Sequence, residues 1–441
     1  MMNKQEKKPC ESFEPSQGLI LTNATITDGF SFLIENSAIE IENGRITQIG
    51  KSEVVKKAGA ETIDLQGRLV LPGLLNPHHH LYSALATGLA PIGPTTTFNL
   101  ILENLWWHLD QTLDEESIYY SALHGLLQSV KYGVTTIFDH HASMKAVAGS
   151  LELIEKAFRE VGVRSLLCYE ISDRMGAKSL PTQLDENIEF WKSHRQDRQI
   201  QGMLGLHANF TLSEKTMALI QSRKPADMPI HIHCGEDRAD YQYCVDRGYA
   251  GPVHRLQQFG LLSRDSFLAH CLHLSETDYA LIREIKPVVI SNPESNANNN
   301  VGQMDIAQIE KYILGTDGMT GNILGTLRSH FLQRNGQIAK ALDIQFRYPA
   351  EITRRFFPET GALEAGQTAD LAVTNYIPVT GIDLNNLFYH LIFGVQGQPM
   401  YMTIAAGNIL YRNGEFQNID EYDILNKVAQ AAERLHKRYY E

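Results

Sequence analysis

The sequence predicts an α/β protein built around a (β/α)8 TIM barrel, with a composite β-sandwich formed by its N- and C-terminal segments. Eight short apolar runs alternate with helix-length amphipathic segments, which is typical of parallel strands joined by helices. The alternation extends from Leu69 to Gly318, close to the length of about 250 residues that such a barrel needs. Strands without intervening helices occur at both ends of the chain and indicate a separate sheet.

The predicted barrel strands and helices alternate in the order that a barrel requires. The predicted helices between the strands include Glu115–Lys131, Ser143–Val161, Ser213–Arg223 and Glu276–Ile285. The eight predicted strands are Leu69–His80, Gly133–His141, Arg164–Glu170, Gly202–Phe210, Met228–Glu236, Phe267–Leu274, Lys286–Pro293 and Tyr312–Gly318.

The chain is expected to contain four parts. These are a flexible N-terminal arm (1–17), a composite β-sandwich domain (18–68 plus 366–416), a metal-dependent barrel (69–365) and a C-terminal helix (417–441). Asn43-Gly44 and Ala406-Gly407-Asn408 each separate two short alternating runs and therefore predict hairpin turns in the sandwich.

Composition and charge predict a cytoplasmic protein that binds neither nucleic acid nor membranes. The net charge of −12 disfavours binding to nucleic acid and to anionic membranes. No apolar stretch approaches the ~18 residues of a membrane span. The five cysteines are odd in number and include no Cys-x-x-Cys pair, so a reducing compartment is predicted rather than a disulfide framework.

The first barrel strand ends in a cluster of histidines, His78-His79-His80. Side chains two positions apart on a strand point the same way, so His78 and His80 are expected to face one point and His79 to face away. Active sites of such barrels lie at the C-terminal ends of the strands. Three surface histidines in a loop are the alternative interpretation.

Further metal-ligating residues follow later strands and favour a metal site over isolated histidines. His233 ends the fifth strand, His270 ends the sixth and Asp317 ends the eighth. Asp317 by itself would be interpreted as a helix cap or turn residue. Four histidines and one carboxylate meeting at the same end of a barrel predict a divalent ion with an open position for water.

A site of this kind hydrolyses its substrate with a metal-activated water as the nucleophile. Asp317 is predicted to accept the proton of that water. Glu236, in the loop after the fifth strand, is predicted to protonate a leaving or ring nitrogen, and His273 to polarise the substrate. The alternative for Glu236 is a solvated loop acid or a hydrogen-bonding partner of a ligand histidine.

One metal ion is predicted because the fourth strand ends without the lysine that typically bridges two ions. His207, at the end of that strand, is predicted to contact substrate, and a core histidine bonded to a backbone carbonyl is the alternative. At least one of Asp139, His140 and His141 is expected to line the pocket. His141 is assigned, together with Trp106, as a substrate contact.

Several motifs carry a resemblance to a known family. They are Pro72-Gly73-x-x-Asn76-x-His78-x-His80, His233-x-x-Glu236, Ala269-His270-Cys271-x-His273 and Gly315-Thr316-Asp317-Gly318. Together they resemble the amidohydrolase superfamily, and most closely its branch of aminohydrolases and chlorohydrolases acting on ring compounds. Leu105-Trp106-Trp107, Thr135–His141 and Asn292–Asn296 are similar to the aminohydrolases called SsnA.

The resemblance implies zinc, or sometimes iron, as the metal, Glu236 as the proton shuttle and a homodimer as the assembly. The metal ligands that it implies are His78, His80, His233, His270 and Asp317. It also implies a histidine directly before Asn292, where this chain has Ser291. Substrate choice or turnover is therefore expected to differ from that of relatives.

The predicted function is hydrolytic deamination at a C–N bond of a cyclic amidine or purine-like compound. One alternative is a hydrolase of another leaving group, such as chloride or a ring amide. The other is a non-catalytic scaffold protein, which Ser291 favours. The complete ligand set with Glu236 favours the enzyme.

Overall fold

The computed structural model of the protein describes residues 18–53, 55 and 59–441. The segment predicted as a flexible arm, residues 1–17, lies outside the described residues. The described chain forms two sheets of nine strands each.

The strands of the described residues alternate with helices only in the middle of the chain. In chain order they are β1 Leu19–Thr27, β2 Leu33–Glu42, β3 Arg45–Lys51, β4 Glu61–Asp64, β5 Leu69–Pro72, β6 Leu74–His79, β7 Val134–His141, β8 Arg164–Ile171, β9 Ile200–Gly202, β10 Leu204–Ala208, β11 Ile230–Cys234, β12 Phe267–His270, β13 Val288–Ser291, β14 Ile313–Leu314, β15 Leu371–Val373, β16 Met402–Ala405, β17 Asn408–Arg412 and β18 Glu415–Phe416.

The α-helices are α1 Phe98–Ile101, α2 Trp107–Asp110, α3 Glu115–Lys131, α4 Ser150–Val161, α5 Leu180–Ser193, α6 Glu214–Arg223, α7 Arg238–Val245, α8 Pro252–Gln258, α9 Glu276–Ile285, α10 Pro293–Asn298, α11 Ile323–Gln333, α12 Tyr348–Phe356, α13 Leu387–Tyr389 and α14 Glu421–Tyr440. Turns of 3-10 helix span Leu81–Ala86, Asp173–Met175 and Asn209–Thr211. Turns of π-helix span Leu102–Trp106, Asp343–Arg347 and His390–Val395.

The first sheet combines strands from both ends of the chain, as the sequence predicts. Its order is β18-β17-β16-β15-β5-β1-β2-β3, and β4 pairs with β1. The two predicted hairpins, β2–β3 and β16–β17, are confirmed. Their turns touch, because a side chain on Gly407 would come within 2.5 Å of the Cα atom of Gly44.

The predicted first barrel strand, Leu69–His80, is divided between the two sheets. β5 pairs with β1 and β15 in the first sheet, whereas β6 pairs with β7 in the barrel. Gly73 lies at the division, where a Cβ atom would stand 2.3 Å from the side-chain oxygen of Thr135. The chain passes from one sheet to the other at a position that accepts no side chain.

The second sheet is the predicted barrel. Its parallel order is β6-β7-β8-β10-β11-β12-β13-β14, with β9 added on β8. A parallel bridge between His79 and Asp317 joins the last strand to the first. The TIM barrel prediction is therefore confirmed, and the C-terminal ends of its strands surround one region.

Helices between the barrel strands begin at capping residues that the sequence supplies. Asp114, Ser213 and Ser275 each accept a hydrogen bond from a backbone N–H in the first turn of α3, α6 and α9. Helix α3 has the predicted bounds, Glu115–Lys131. Helix α4 begins at Ser150 rather than at the predicted Ser143, because Gly149 before it has a left-handed φ of 79°.

The barrel interior is apolar near the start of the strands and polar near their ends. Leu75, Phe138 and Phe267 are buried in one apolar cluster, which residues of α12 cover from below. Histidines and carboxylates occupy the opposite ends of the same strands. The apolar layer thus forms the floor of a polar site.

Candidate active site

Backbone contacts between β6 and the loop after β14 fix the position of Asp317. The carbonyl oxygen of His78 accepts hydrogen bonds from the N–H groups of Thr316 and Asp317, at 3.2 and 3.0 Å. Asp317 has a left-handed φ of 55°, which aspartate tolerates better than most residues. His79 points the other way, and its Nδ1 atom lies 2.7 Å from the carbonyl oxygen of Asp317.

Imidazoles from three strands converge on the Asp317 carboxylate. Its Oδ1 atom lies 2.9 Å from Nε2 of His80 and 3.4 Å from Nε2 of His78. Its Oδ2 atom lies 3.6 Å from Nε2 of His270. The Nε2 atoms of His80 and His233 are 3.1 Å apart. The structure therefore brings together all five residues predicted as metal ligands.

The δ nitrogens of these four imidazoles all face hydrogen-bond acceptors. The acceptors are Nε2 of His231 for His78, the His140 carbonyl for His80, the His207 carbonyl for His233 and Oδ1 of Asn296 for His270, at 2.9, 2.6, 2.9 and 2.8 Å. A proton on each δ nitrogen leaves the ε nitrogen as a lone-pair donor. The neighbouring groups thus aim four lone pairs at one point.

The donor set fits a divalent transition-metal ion. Five ligands held about 2.1 Å from one ion are about 3.0 Å apart at 90° and about 3.6 Å apart at 120°, close to the spacing of these atoms. The Nε2 atom of His78 is buried and has no hydrogen-bond partner, so a metal ion would satisfy it. Ligand atoms of His78, His233, His270 and Asp317 all lie within 4.8 Å of one another.

The electrostatics of the cluster keep the carboxylate ionised. Burial opposes ionisation of Asp317, but the adjacent imidazoles of His78 and His80 hold its pKa well below the ordinary value. Burial lowers the pKa of His78 to about 3, so that imidazole is neutral at pH 7. Burial also opposes protonation of His80, but the Asp317 carboxylate outweighs it and raises the pKa of His80 to about 9, so a metal ion would have to displace a proton from His80. An ionised carboxylate and neutral imidazoles are the forms that bind metal ions.

Glu236 lies beside the cluster in the loop after β11. Its Oε2 atom is 3.6 Å from Nε2 of His270, and its Oε1 atom accepts a hydrogen bond of 3.3 Å from Nδ2 of Asn299. Burial raises the pKa of Glu236 to about 7. A carboxyl group with such a pKa can both donate and accept a proton near neutral pH.

A cavity of about 600 Å³, counted with its opening to solvent, lies over the cluster. Its lining combines aromatic and apolar side chains with polar and charged ones. The lining residues are His80, Tyr82, Ser83, Phe98, Leu102, Trp106, Trp107, Asp110, Glu170, His207, His233, Glu236, Ser295, Asn298, Asn299, Asp317, Gly318 and Met319. The lining includes Trp106 and His207, both predicted as substrate contacts.

The other two predicted contacts with substrate lie away from the cavity lining. Nε2 of His273 is 3.0 Å from the carbonyl oxygen of Val301, and Nε2 of His141 is 2.9 Å from Oγ of Ser143. Left-handed φ values at His270 and Cys271 turn the chain before His273, which strand parity cannot foresee. The structure gives no contact through which His273 would polarise a substrate in this cavity.

The residue predicted to line the pocket among Asp139, His140 and His141 is not found there. None of the three is a lining residue. Oδ1 of Asp139 accepts the N–H of Leu81 at 2.8 Å, and Nε2 of His140 lies 3.1 Å from the carbonyl oxygen of Leu206. Asp139 and His140 therefore contact backbone groups of the barrel rather than the cavity.

Sequence reasoning missed a group of charges beside the cavity. Glu170 and Asp110 line it, and Arg174 forms ion pairs with both carboxylates. Glu170 is the last residue of a predicted strand, so its position at the catalytic end of the barrel is a signal that could have identified it. Asp110 and Arg174 lie on connecting segments and carry no such signal.

Comparison with known proteins agrees with this site. The profile of the amidohydrolase family matches residues 69–410. The chain is 27% identical over 431 residues to a 5-methylthioadenosine/S-adenosylhomocysteine deaminase of Pyrococcus furiosus, with 94% of this chain and all of that protein covered. It is 28% identical over 439 residues to a 5'-deoxyadenosine deaminase of Methanothrix thermoacetophila, covering 95% and 99%.

Solved structures share the fold at lower identity. An adenosine deaminase from Xanthomonas campestris with bound zinc superimposes with a TM-score of 0.82 at 19% identity, over 95% of this chain and 98% of that one. The guanine deaminase of E. coli gives a TM-score of 0.76 at 18% identity, over 90% and 100%. Because the family profile matches most of the chain, residues 69–410, the chain belongs to the amidohydrolase family.

Proposed function

We propose that the protein is a metal-dependent deaminase that hydrolyses an exocyclic C–N bond of a purine-like compound and releases ammonia. The observation that carries the proposal is the convergence of four ε nitrogens and one carboxylate beside Glu236. The names of relatives that cover nearly the whole chain, deaminases of modified adenosines, support the same reaction. Within the family, the SsnA group remains the prediction for this chain.

The proposed cofactor is one zinc ion per chain, held by His78, His80, His233, His270 and Asp317. When bound, zinc would act as a Lewis acid and lower the pKa of a water ligand, so that a nucleophile is available at neutral pH. Zinc is favoured over iron because nitrogen-rich donor sets are common zinc ligands and the reaction needs no electron transfer.

The proposed proton transfers use two carboxylates of this chain. Asp317 takes the proton of the attacking water, because its carboxylate is ionised and stands among the ligand nitrogens. Glu236 delivers its proton to a ring nitrogen and regains one from the hydroxyl group of the adduct as the carbonyl forms. Asp317 passes the water proton to the leaving amine, which departs as ammonia. The Asn299 hydrogen bond orients Glu236 and leaves Oε2 directed toward His270.

The cavity walls would orient a flat ring over the metal site. Trp106 and Phe98 contribute apolar surface to the lining, and His207 contributes a polar group. Nδ1 of His207 lies 2.8 Å from Oγ1 of Thr211, which fixes the ring and leaves Nε2 for a substrate. His207 and Trp106 are therefore proposed as substrate contacts.

Metal analysis combined with an ammonia-release screen tests this function. We expect about one zinc per chain and ammonia release from at least one adenosine derivative, pterin or aminotriazine. Chloride release from a chlorotriazine without ammonia release would favour the alternative leaving group. A purified protein that binds no stoichiometric metal would support the scaffold interpretation and overturn the proposal.

We also propose a cellular location and an assembly state for the protein. The cysteine content of the sequence supports a cytoplasmic location, which fractionation of cells would test. Among the described residues, no helix combines the length and apolar character required to cross a membrane. A homodimer is proposed from the family resemblance, and sedimentation of the zinc-loaded protein would test it.

A further inference from the structure

Two carboxylates that the proposed reaction does not use line the cavity. Asp110 ends α2 and Glu170 lies near the end of β8, and their exposed fractions are 1% and 2%. We call this pair the acidic wall. Nη1 of Arg174 lies 2.7 Å from Oδ2 of Asp110, and Nη2 of the same side chain donates to Oε1 of Glu170.

The charges of the acidic wall do not balance. Arg174 carries one positive charge against two carboxylates, and it is not a lining residue itself. Among the described residues, no lysine or arginine lines the cavity, while Glu236 and Asp317 add two further acids. A divalent ion would offset these last two, so the surplus carboxyl group lies at the acidic wall. Burial raises the pKa of Glu170 to about 7, so the wall carries its excess negative charge above that pH.

The acidic wall also contains oxygen atoms that accept no hydrogen bond. Oδ1 of Asp110 is buried without a hydrogen-bond partner. Oε2 of Glu170 lies 3.6 Å from Nδ1 of His140, which is longer than a hydrogen bond. A buried acceptor without a donor is costly, and a donor from a bound ligand would satisfy the acceptor of Asp110 and supply a partner for Oε2 of Glu170.

We propose that the acidic wall is a substrate subsite that accepts a hydrogen-bond-donating group, most strongly a cationic one, and rejects phosphate and carboxylate groups. The proposal rests on the proposed function, because the ring of the substrate must lie at Asp317 while its substituent reaches Asp110 and Glu170. The selectivity comes from charge, since an anion would lie beside a carboxylate whose charge Arg174 does not offset.

Three probes with one base and different 5'-substituents test the subsite on the zinc-loaded enzyme. They are 5'-amino-5'-deoxyadenosine, 5'-deoxyadenosine and adenosine 5'-monophosphate, which carry a cation, no charge and an anion. We expect kcat/KM to fall in that order, with the amine at least about tenfold above the phosphate. Equal or better use of the phosphate would overturn the subsite and leave the deaminase proposal standing.

Isosteric variants identify the residues responsible. Glu170→Gln and Asp110→Asn each remove one charge, and each is expected to reduce the amine-to-phosphate ratio about tenfold. Glu189→Gln removes the same charge from the outer face of α5, where that side chain is 68% exposed, and should leave the ratio unchanged. An unchanged ratio in both wall variants would overturn the assignment.

A binding measurement separates this inference from the proposed reaction. If no probe releases ammonia, the three compounds can be compared as stabilisers of the zinc-loaded protein in thermal unfolding. Greater stabilisation by the amine than by the phosphate would support the acidic wall even if the deaminase proposal failed. Stabilisation in the reverse order, or none by any probe, would overturn it.

Discussion

Glu236 is the residue whose proposed role in proton transfer is easiest to test. Burial raises its pKa to about 7, and no other described carboxyl group stands within 3.6 Å of Nε2 of His270 except Asp317. Glu236→Gln keeps the shape and the Asn299 contact but removes the exchangeable proton. We expect kcat to fall by about 10²–10⁴-fold, measured by ammonia release.

The metal content of Glu236→Gln serves as the control. Glu236 is not a proposed ligand, so zinc should remain near one ion per chain by elemental analysis. Full activity in this variant would remove Glu236 from the mechanism. Loss of zinc together with activity would instead make it a ligand.

Asn296 tests how hydrogen bonds behind the ligands tune the site. Its Oδ1 atom lies 2.8 Å from Nδ1 of His270. Asn296→Leu removes the acceptor and should weaken zinc affinity about 10–100-fold, whereas Asn296→Asp retains an acceptor and should bind zinc more tightly than the leucine variant. Competition with a zinc chelator measures both, and equal affinities would show that this bond does not hold the ligand.

The metal-ligand candidates could be found from sequence, whereas their surroundings could not. Strand parity places His78 and His80 on one side, and strand ends locate His233 and His270. His273 lies in the loop after His270, as predicted, but φ is left-handed at two consecutive residues before it, and no pattern of apolar residues reveals where such a turn directs its side chain. Arg174 and Asn299 act through tertiary contacts from connecting segments, and such contacts leave no periodic signal.

At the scale of elements, α11 carries a buried titratable group away from the active site. His330 is 1% exposed, and its Nε2 atom lies 2.9 Å from the hydroxyl of Tyr312 on the neighbouring segment. Burial, with a smaller contribution from Arg334, lowers the pKa of His330 to about 4. Protonation is therefore easier in the unfolded chain than in the folded one.

This difference predicts acid-sensitive stability. The unfolded chain gains a proton at this position below pH 6.5, so stability falls as pH decreases from 6.5 to about 4. The loss at pH 5 is about 2 kcal/mol. Urea unfolding at pH 7 and pH 5 should show a smaller pH effect in His330→Gln than in the unmodified protein. The same pH effect in both would show that His330 is not the cause.

Prediction of elements succeeded where periodicity was strong and failed where one residue interrupts a run. Helix α3 has its predicted bounds because Asp114 caps a long amphipathic segment. The run Leu69–His80 is continuous in hydrophobicity, yet Gly73 divides it between two sheets because Thr135 leaves no room for a side chain there. Close approach of a distant residue cannot be inferred from local composition.

At the scale of the whole molecule, a buried ion pair joins the barrel to the first sheet. Nη1 of Arg164, at the start of β8, lies 2.7 Å from Oδ2 of Asp370, directly before β15. Asp370→Ala would leave the Arg164 charge buried without a partner. We expect a loss of about 3–5 kcal/mol in the free energy of unfolding, measured with urea.

An exposed ion pair provides the matched control. Arg195 and Asp227 are paired at the surface with side-chain exposures of 50% and 59%. Asp227→Ala should cost no more than about 1 kcal/mol. Similar losses in the two variants would show that the Arg164–Asp370 pair has no special role in joining the two sheets.

The central place of β15 in the first sheet has a consequence for biosynthesis. Its neighbour β5 leaves the ribosome roughly 300 residues earlier. At a synthesis rate of about 5–20 residues per second, the edge of β5 that later pairs with β15 stays unpaired for about 15–60 s. Unpaired edges invite aggregation, so de novo maturation of this protein should depend on chaperones more than refolding of the full-length polypeptide does.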